Sequence, residues 1–449
     1  MRQRLRWTLR WRLSVLWLLE WGITGTLLTY LSLYFEENQL PLSDVGPLMA
    51  TGALGLWVAP LVVGQICDRW MSAERYLAIA HFVGGVALLA IPVAVNVYRE
   101  TQSSYPIILA LFGLYAAAYV PTVALATALT FRHLPDPKLQ FGGVRVWGTI
   151  GWVLAGIGLS LWLERRDVEA WMRTQHPEWN DAVAAMSRLF HWAPAPSSRD
   201  AFRIAAMLSF TLSTFCIFLP HTPPARTARA RAAPLQVLTM FRKRSFGQLI
   251  VASFALALVI PLYNLAVPPL LKQYGFRQDW IPAVMTIGQL SEPPALLLLS
   301  VGLRRFGLKF TFGLGVAAWL VRYLIFASGA PYQWVLAGIA LHGICHVCLI
   351  IVIQLYLDAE CPADLRNSVQ NLFAFLTLGV AMPIGLLLSQ PLIRLCTTVV
   401  DGRSVVNFPL VFLAGSIVLT GLMIAYWWWF QSPRMEAVVA ESVTTTQPD

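Results

Sequence analysis

Residues 201–219 read AFRIAAMLSFTLSTFCIFL, residues 220–246 read PHTPPARTARARAAPLQVLTMFRKRSF, and residues 247–271 read GQLIVASFALALVIPLYNLAVPPLL. Two apolar runs flank a basic, proline-rich connection. An α-helix needs about 20 mostly apolar residues to cross the hydrocarbon core of a bilayer, and both runs meet that length. The connection holds Pro220, Pro223 and Pro224, then Arg226, Arg229 and Arg231, then Arg242-Lys243-Arg244. Proline breaks helices and clustered positive charge is costly in lipid. The stretch therefore reads as a cytoplasmic linker between two membrane bundles.

Outward from the linker the apolar pattern repeats. Spans are predicted at 13–35, 45–66, 76–97, 105–130, 143–163 and 201–219 on one side. On the other they fall at 247–271, 280–301, 308–328, 333–357, 367–391 and 408–430. No strand-like alternation is sustained. The expectation is an all-α membrane protein with twelve transmembrane helices in two six-helix bundles. Its domains are 1–219, with an outside insert at about 164–200, then the linker 220–246, the second bundle 247–430 and a cytoplasmic tail 431–449. The insert carries Trp171, Trp179 and Trp192, which suit an interfacial helix. The basic start (Arg2, Arg4, Arg6, Arg10, Arg12) is followed by no small-residue cleavage site, so it reads as the lead of a retained first helix.

Composition agrees. Of 449 residues, 57% are hydrophobic and 12% charged, about half the charge of a soluble chain. That excludes a soluble enzyme, a disordered chain and a disulfide-stapled secreted domain. The net charge of +10 points to cytoplasmic loops rather than nucleic acid. With both termini inside, inner segments hold about 20 Lys and Arg and outer loops about 10, half of the latter in the long insert. The expected location is the bacterial cytoplasmic (inner) membrane, multi-pass, with both termini cytoplasmic. Six cysteines show no disulfide spacing, and Cys345 and Cys348 lie within an apolar run as packing residues. No Walker P-loop is present, so energy must come from an ion gradient, and no cofactor or metal is expected.

Charge at bilayer depth costs several kcal/mol and marks functional candidates. Glu292 lies mid-span, three residues after Gln289 on the same helical face and just before Pro293-Pro294. Those rings should kink the helix and leave polar backbone beside the carboxyl. Glu292 reads as a proton carrier, or else as a carboxylate fixed to an arginine. Arg145, Thr149 and Trp152 are spaced i, i+4, i+7 on one face of the fifth span and suit a polar aromatic ligand. Spacing leaves open whether Arg145 instead snorkels to water. Asn264 is a mid-span amide, either a ligand contact or an interhelical hydrogen-bonding group. His342 and His346 share one face of the tenth span, as a cavity wall, a proton relay or packing, and no carboxylate within that span completes a metal site. Glu20 in the first span is a second proton site or an arginine's partner. Arg322 in the ninth reads as structural.

After the second span comes Gly64-Gln65-Ile66-Cys67-Asp68-Arg69-Trp70, and at the matching place in the second half Gly302-Leu303-Arg304-Arg305-Phe306-Gly307. Such internal repetition is typical of secondary transporters. Asp68 and Arg69 resemble the cytoplasmic gating loop of the major facilitator superfamily. More specifically, Asp68 to Ala73, Tyr119-Val120-Pro121-Thr122, Arg145 to Gly151, Leu219-Pro220-His221, Gly288-Gln289-Leu290-Ser291-Glu292, Ala318-Trp319-Leu320-Val321-Arg322 and Arg366, Ser368 and Gln370 resemble the bacterial nucleoside–proton symporters. The resemblance implies the major facilitator fold and a central nucleoside site at Arg145, Thr149, Asn264, Gln289 and Glu292, with Trp152 where the family has another aromatic. The chain departs from that pattern at Pro261 for a glutamine, His342 for a tyrosine, His346 for an aromatic, Val347 for an aspartate and Glu20 for an apolar residue. The departures bear on substrate and coupling ion, not on fold. The expected function is monomeric, proton-driven nucleoside import by alternating access. The alternatives are a major facilitator transporter or exporter of another small polar or amphipathic compound, a ligand sensor on the same fold, and a membrane enzyme using the two histidines.

Overall fold

The computed structural model describes residues 7–58, 63, 66–67, 70–190, 194–223, 240–361, 366–401 and 403–430. The expected gating residues Asp68 and Arg69, the linker's middle at 224–239, Trp192 and the tail at 431–449 lie outside the described residues.

Hydrocarbon offers backbone N–H and C=O groups no partner, so apolar spans must satisfy them internally as helices. In chain order the helices of the first half are α1 (Trp7–Leu27), α2 (Leu31–Glu37), α3 (Leu42–Ala50), α4 (Gly52–Val58), α5 (Ala73–Thr101), α6 (Tyr105–His133), α7 (Pro137–Leu163), α8 (Arg165–Gln175), α9 (Asn180–Phe190) and α10 (Asp200–Phe215). The second half continues with α11 (Arg244–Val259), α12 (Pro261–Gln273), α13 (Ile281–Leu290), α14 (Glu292–Ala327), α15 (Tyr332–Ala340), α16 (His342–His346), α17 (Val352–Glu360), α18 (Arg366–Ala374), α19 (Met382–Leu395) and α20 (Phe408–Trp429).

Among the described residues, nine helical stretches are long and apolar enough to cross a membrane. One of them, Gln278–Ala327, contains two of the expected spans, which part inside α14 at Gly307. Its φ of 74° is a conformation that glycine adopts without steric cost. Outside those nine, α1 occupies the first predicted span, and α3 and α4 lie along the second.

Two spans break where the sequence supplies a reason. Pro261 cannot donate to the preceding turn, and helix seven divides there into α11 and α12. Pro293 and Pro294 do the same one span later, parting α13 from α14 at Ser291. Two π-helical stretches, Val347–Ile351 and Phe375–Ala381, interrupt the tenth and eleventh spans. Such bulges occur often at functional sites.

Two features differ from expectation. The connection between the last two spans forms an antiparallel hairpin, β1 (Thr397–Val400) with β2 (Arg403–Val406), in the register Thr397↔Val406. Its β-branched residues favour the strand, and Asp401 turns the chain with φ 50°. The run is too short to show sustained alternation in sequence. The insert, expected to hold one interfacial helix, holds two, α8 and α9, joined by a tight turn at Pro177–Trp179. Trp171 and Trp179 are exposed on it.

The described chain separates into two compact units. The first comprises 1–41, 61–226 and 268–286, and the second 42–60, 227–267 and 287–449. In the first, α1 packs on α7 and α10, and α5 on α6 and α10. In the second, α14 packs on α16 and α20, and α19 on α3 and α11.

Candidate functional site

In the first unit, glycine brings α1 and α7 backbone to backbone. A Cβ at Gly25 would sit 2.7 Å from the Trp152 carbonyl oxygen, and one at Gly148 would sit 2.8 Å from the Trp21 ring. A Cβ at Gly151 would collide with the Leu18 carbonyl. This closeness lays the Arg145, Thr149, Trp152 stripe against two tryptophans of α1. The Arg145 guanidinium carbon lies 4.8 Å from the Trp17 ring centre and 4.4 Å from that of Trp21. Ring centres of Trp21 and Trp152 are 5.9 Å apart. The indole N–H groups of Trp21 and Trp152 are buried with no hydrogen-bond partner among the described residues. Arg145 thus packs on indole faces, a cation–π arrangement. Trp17 and Trp21 were missed in the sequence, though their i, i+4 spacing was a usable signal.

Glu20 faces the other way. Its Oε2 lies 3.0 Å from His81 Nε2 on α5, and its Oε1 2.5 Å from the Thr122 hydroxyl on α6. All three residues are fully buried. The polar partner Glu20 meets is a histidine, not the arginine that was considered. His81 carried no signal of its own in the sequence.

In the second unit, α13 and α16 also meet through glycine. The Gly343 amide donates to the Ser291 hydroxyl at 2.8 Å, and a Cβ at Gly343 would collide with the Ser291 backbone. The predicted break at the proline pair leaves Glu292 as the first residue of α14. Glu292 Oε1 lies 3.5 Å from His342 Nε2 and 3.7 Å from His346 Nδ1. The carboxylate missing from the tenth span is therefore supplied by the eighth. Both contacts are longer than a typical hydrogen bond. Among the described residues, no group of three His, Cys, Asp or Glu side chains is arranged to hold a metal ion.

Arg322 is buried beside this cluster. Its Nη1 lies 3.4 Å from His342 Nδ1, and its guanidinium carbon lies 3.4 Å from the centre of the Tyr263 ring. Two of its nitrogens, Nε and Nη2, have no hydrogen-bond partner among the described residues. Gln289 Oε1 is buried and likewise unpartnered, and Asn264 is half-buried one residue beyond Tyr263. Tyr263, which carries the arginine, is a further residue that sequence reasoning passed over.

A cavity of about 660 Å³ in the first unit lies elsewhere, lined by Leu18, Leu154, Ala155, Ile204, Met207 and Leu208 among others. Its largely apolar wall offers little to a polar ligand.

Membrane-crossing helices interrupted by proline and glycine, with ionisable side chains at the interruptions, define a secondary transporter. The chain belongs to the Nucleoside H+ symporter family, which matches residues 7–175 and 179–434. It is 26% identical to the putative nucleoside transporter YegT of Escherichia coli K12 over 384 residues, covering 83% of this chain and 82% of that one. It is 23% identical to the nucleoside permease NupG of the same strain, covering 92% of this chain and 94% of NupG. The crystal structure of NupG superposes with a TM-score of 0.74 at 22% identity, over 95% of this chain and all of NupG. A D-xylose–proton symporter superposes at 0.66 with 11% identity, over 96% of this chain and 99% of that one. The fold is that of the major facilitator superfamily.

Proposed function

We propose that the chain imports nucleosides together with protons, with Glu292 as proton carrier and substrate partner. The observation that carries this reading is the placement of Glu292. It is a half-buried carboxyl at a break in a membrane-crossing helix, beside the imidazoles of His342 at 3.5 Å and His346 at 3.7 Å. An acid so placed is able to take a proton and release it. Arg145, Gln289 and Asn264 supply donors and acceptors for a base or ribose. Trp152 supplies a ring face for stacking, and Thr149 a hydroxyl. Family membership supports the substrate class.

The positive-inside distribution supports a cytoplasmic-membrane location with both termini cytoplasmic. The internal repetition and the basic linker in the sequence support alternating access by two bundles.

The test is uptake of labelled uridine and adenosine into membrane vesicles, with and without a proton gradient. Wild-type protein should accumulate at least one of them against its gradient. Glu292→Gln should lose gradient-driven accumulation, and full retention would remove Glu292 from the coupling role.

A second reading, transport of another polar ring compound, is favoured by His342 and His346 standing beside Glu292. Imidazoles present N–H donors or bare nitrogen acceptors where a phenol would offer a hydroxyl. Proton-driven uptake of neither nucleoside, with uptake of another compound in the panel, would establish it.

A further inference from the structure

We propose that Glu20 and His81 form a second proton-binding site, enclosed within the first unit and separate from Glu292. The inference extends the reading of the chain as a proton-driven transporter. It starts from an acid and a base buried together in the membrane, both with 0% exposure, in contact at 3.0 Å. A charged side chain at such a place is costly, and a purely structural contact has cheaper apolar substitutes.

The hydrogen accounting explains how the site holds a proton. Thr122 has one hydroxyl hydrogen and two acceptors in reach, Glu20 Oε1 at 2.5 Å and the carbonyl of Tyr119 at 2.5 Å. With Glu20 protonated on Oε1, the acid donates to the Thr122 oxygen and Thr122 donates to the Tyr119 carbonyl. With Glu20 ionised, Thr122 turns its hydrogen to the carboxylate. One hydroxyl therefore serves both states.

His81 supplies the entry. The line from Nε2 to Glu20 Oε2 is short but poorly aligned for a hydrogen bond, and Nδ1 is buried with no hydrogen-bond partner among the described residues. A buried imidazole nitrogen without a partner carries a desolvation cost that a water or a proton would relieve. A proton arriving at Nδ1 lets the Nε2 proton pass to Glu20 Oε2 once the two side chains turn into line, and rotation of the carboxyl then presents that proton to the Thr122 oxygen. The product is a neutral acid beside a neutral imidazole, with every proton accounted for.

The surroundings supply little competing charge. From α6, Tyr115 and Tyr119 face Glu20, and the Tyr119 hydroxyl donates to the Glu20 carbonyl at 2.5 Å. From α7, Arg145 reaches the field at Tyr119. From the turn after α10 comes the Cys216 thiol, and from α10 itself Ser209, whose hydroxyl donates to the His81 carbonyl at 2.8 Å. On α5, Glu74 stands two turns nearer the helix start, paired with His221 at 2.7 Å. On α1, Thr24 lies 2.6 Å from the Tyr119 hydroxyl.

The test is infrared difference spectroscopy on the full-length protein in lipid bilayers, titrated between about pH 5 and about pH 9. A carbonyl-stretch band of a protonated buried carboxyl should be present in wild type and absent in Glu20→Gln. It should persist at a shifted frequency in His81→Asn and in Thr122→Val, which guard against a misfolded Glu20 variant. An unchanged band in Glu20→Gln would overturn the proposal, as would identical spectra in the other two variants and wild type. In vesicles, the ratio of gradient-driven accumulation to substrate exchange should fall about tenfold in Glu20→Gln. An unchanged ratio would overturn the coupling role. Wild-type protein showing no proton-driven uptake would defeat the transport reading instead, while the band would still report the site.

Discussion

The two units each hold an acid beside histidine, and the pairs differ in enclosure. Glu20 and His81 touch at 3.0 Å with neither exposed. Glu292 stands 3.5 and 3.7 Å from His342 and His346, with exposures of 16%, 17% and 37%. The first acid comes from an unbroken helix and is sealed by side chains from two neighbours. The second sits at a helix break that two prolines impose. The same chemical groups are thus closed off by packing in one unit and left partly exposed at a backbone interruption in the other.

The comparison is most severely tested by removing the backbone contacts that build each site. Gly151→Val would drive a side chain into the Leu18 carbonyl and part α1 from α7. Gly343→Val would drive one into Ser291 and part α16 from the helix break beside Glu292. Each should cost about 1–3 kcal/mol or more, read as a lowered thermal unfolding midpoint in detergent. Ordinary midpoints in both variants would show that close helix approach does not hold the sites.

Next in size is Glu292→Gln against Glu20→Gln. If exposure separates their roles, Glu292→Gln should weaken nucleoside binding as well as coupling, by about tenfold or more in Kd. Glu20→Gln should change Kd by less than about threefold. Equal losses in calorimetric binding would erase the distinction drawn above.

Arg145→Lys tests the proposed ligand role of Arg145 in the first unit. It keeps the positive charge but loses the planar guanidinium that lies on Trp17 and Trp21. Binding should weaken by about tenfold. Retained affinity in tryptophan-quenching titrations would show that charge alone suffices.

The smallest effect concerns the connection after α7. Glu164 is buried after α7 and accepts from Arg277 at 2.7 Å, while Asp167 shares the same guanidinium. Burial raises the Glu164 pKa above the usual carboxylate value despite the opposing pull of Arg277. A carboxyl raised in the folded state withdraws stability as pH climbs from its unfolded value through the folded one. Glu164→Gln should therefore lose no more than a fraction of a kcal/mol at neutral pH, since exposed Arg277 keeps Asp167. Its midpoint should also vary less than wild type across mildly acidic pH. A steeper acid dependence in the variant would reverse the sign of this assignment.

Several parts of the site were legible without coordinates because they depend on local geometry. Arg145, Thr149 and Trp152 share a face by helical periodicity, and so do His342 and His346. Pro293 and Pro294 announce the break at which Glu292 sits. What periodicity does not reach is the partner across a helix interface. His81 lies 61 residues from Glu20 in the chain, and nothing local links them. The carboxylate facing the tenth-span histidines likewise comes from another span. Arg322 reads as structural from its place near the outer end of its span, and folding sets it against Tyr263 and His342.

The sequence by itself determined that this chain crosses the membrane as helices, that one of them breaks at Pro293-Pro294, and which few charges enter the bilayer. Those properties follow from hydrophobic length, proline chemistry and the cost of desolvation, all of which act on short stretches. Only the tertiary structure decided which charge meets which partner and how tightly each is enclosed. Such pairings depend on where glycine lets two distant helices approach, and that distance is a property of packing rather than of any single segment.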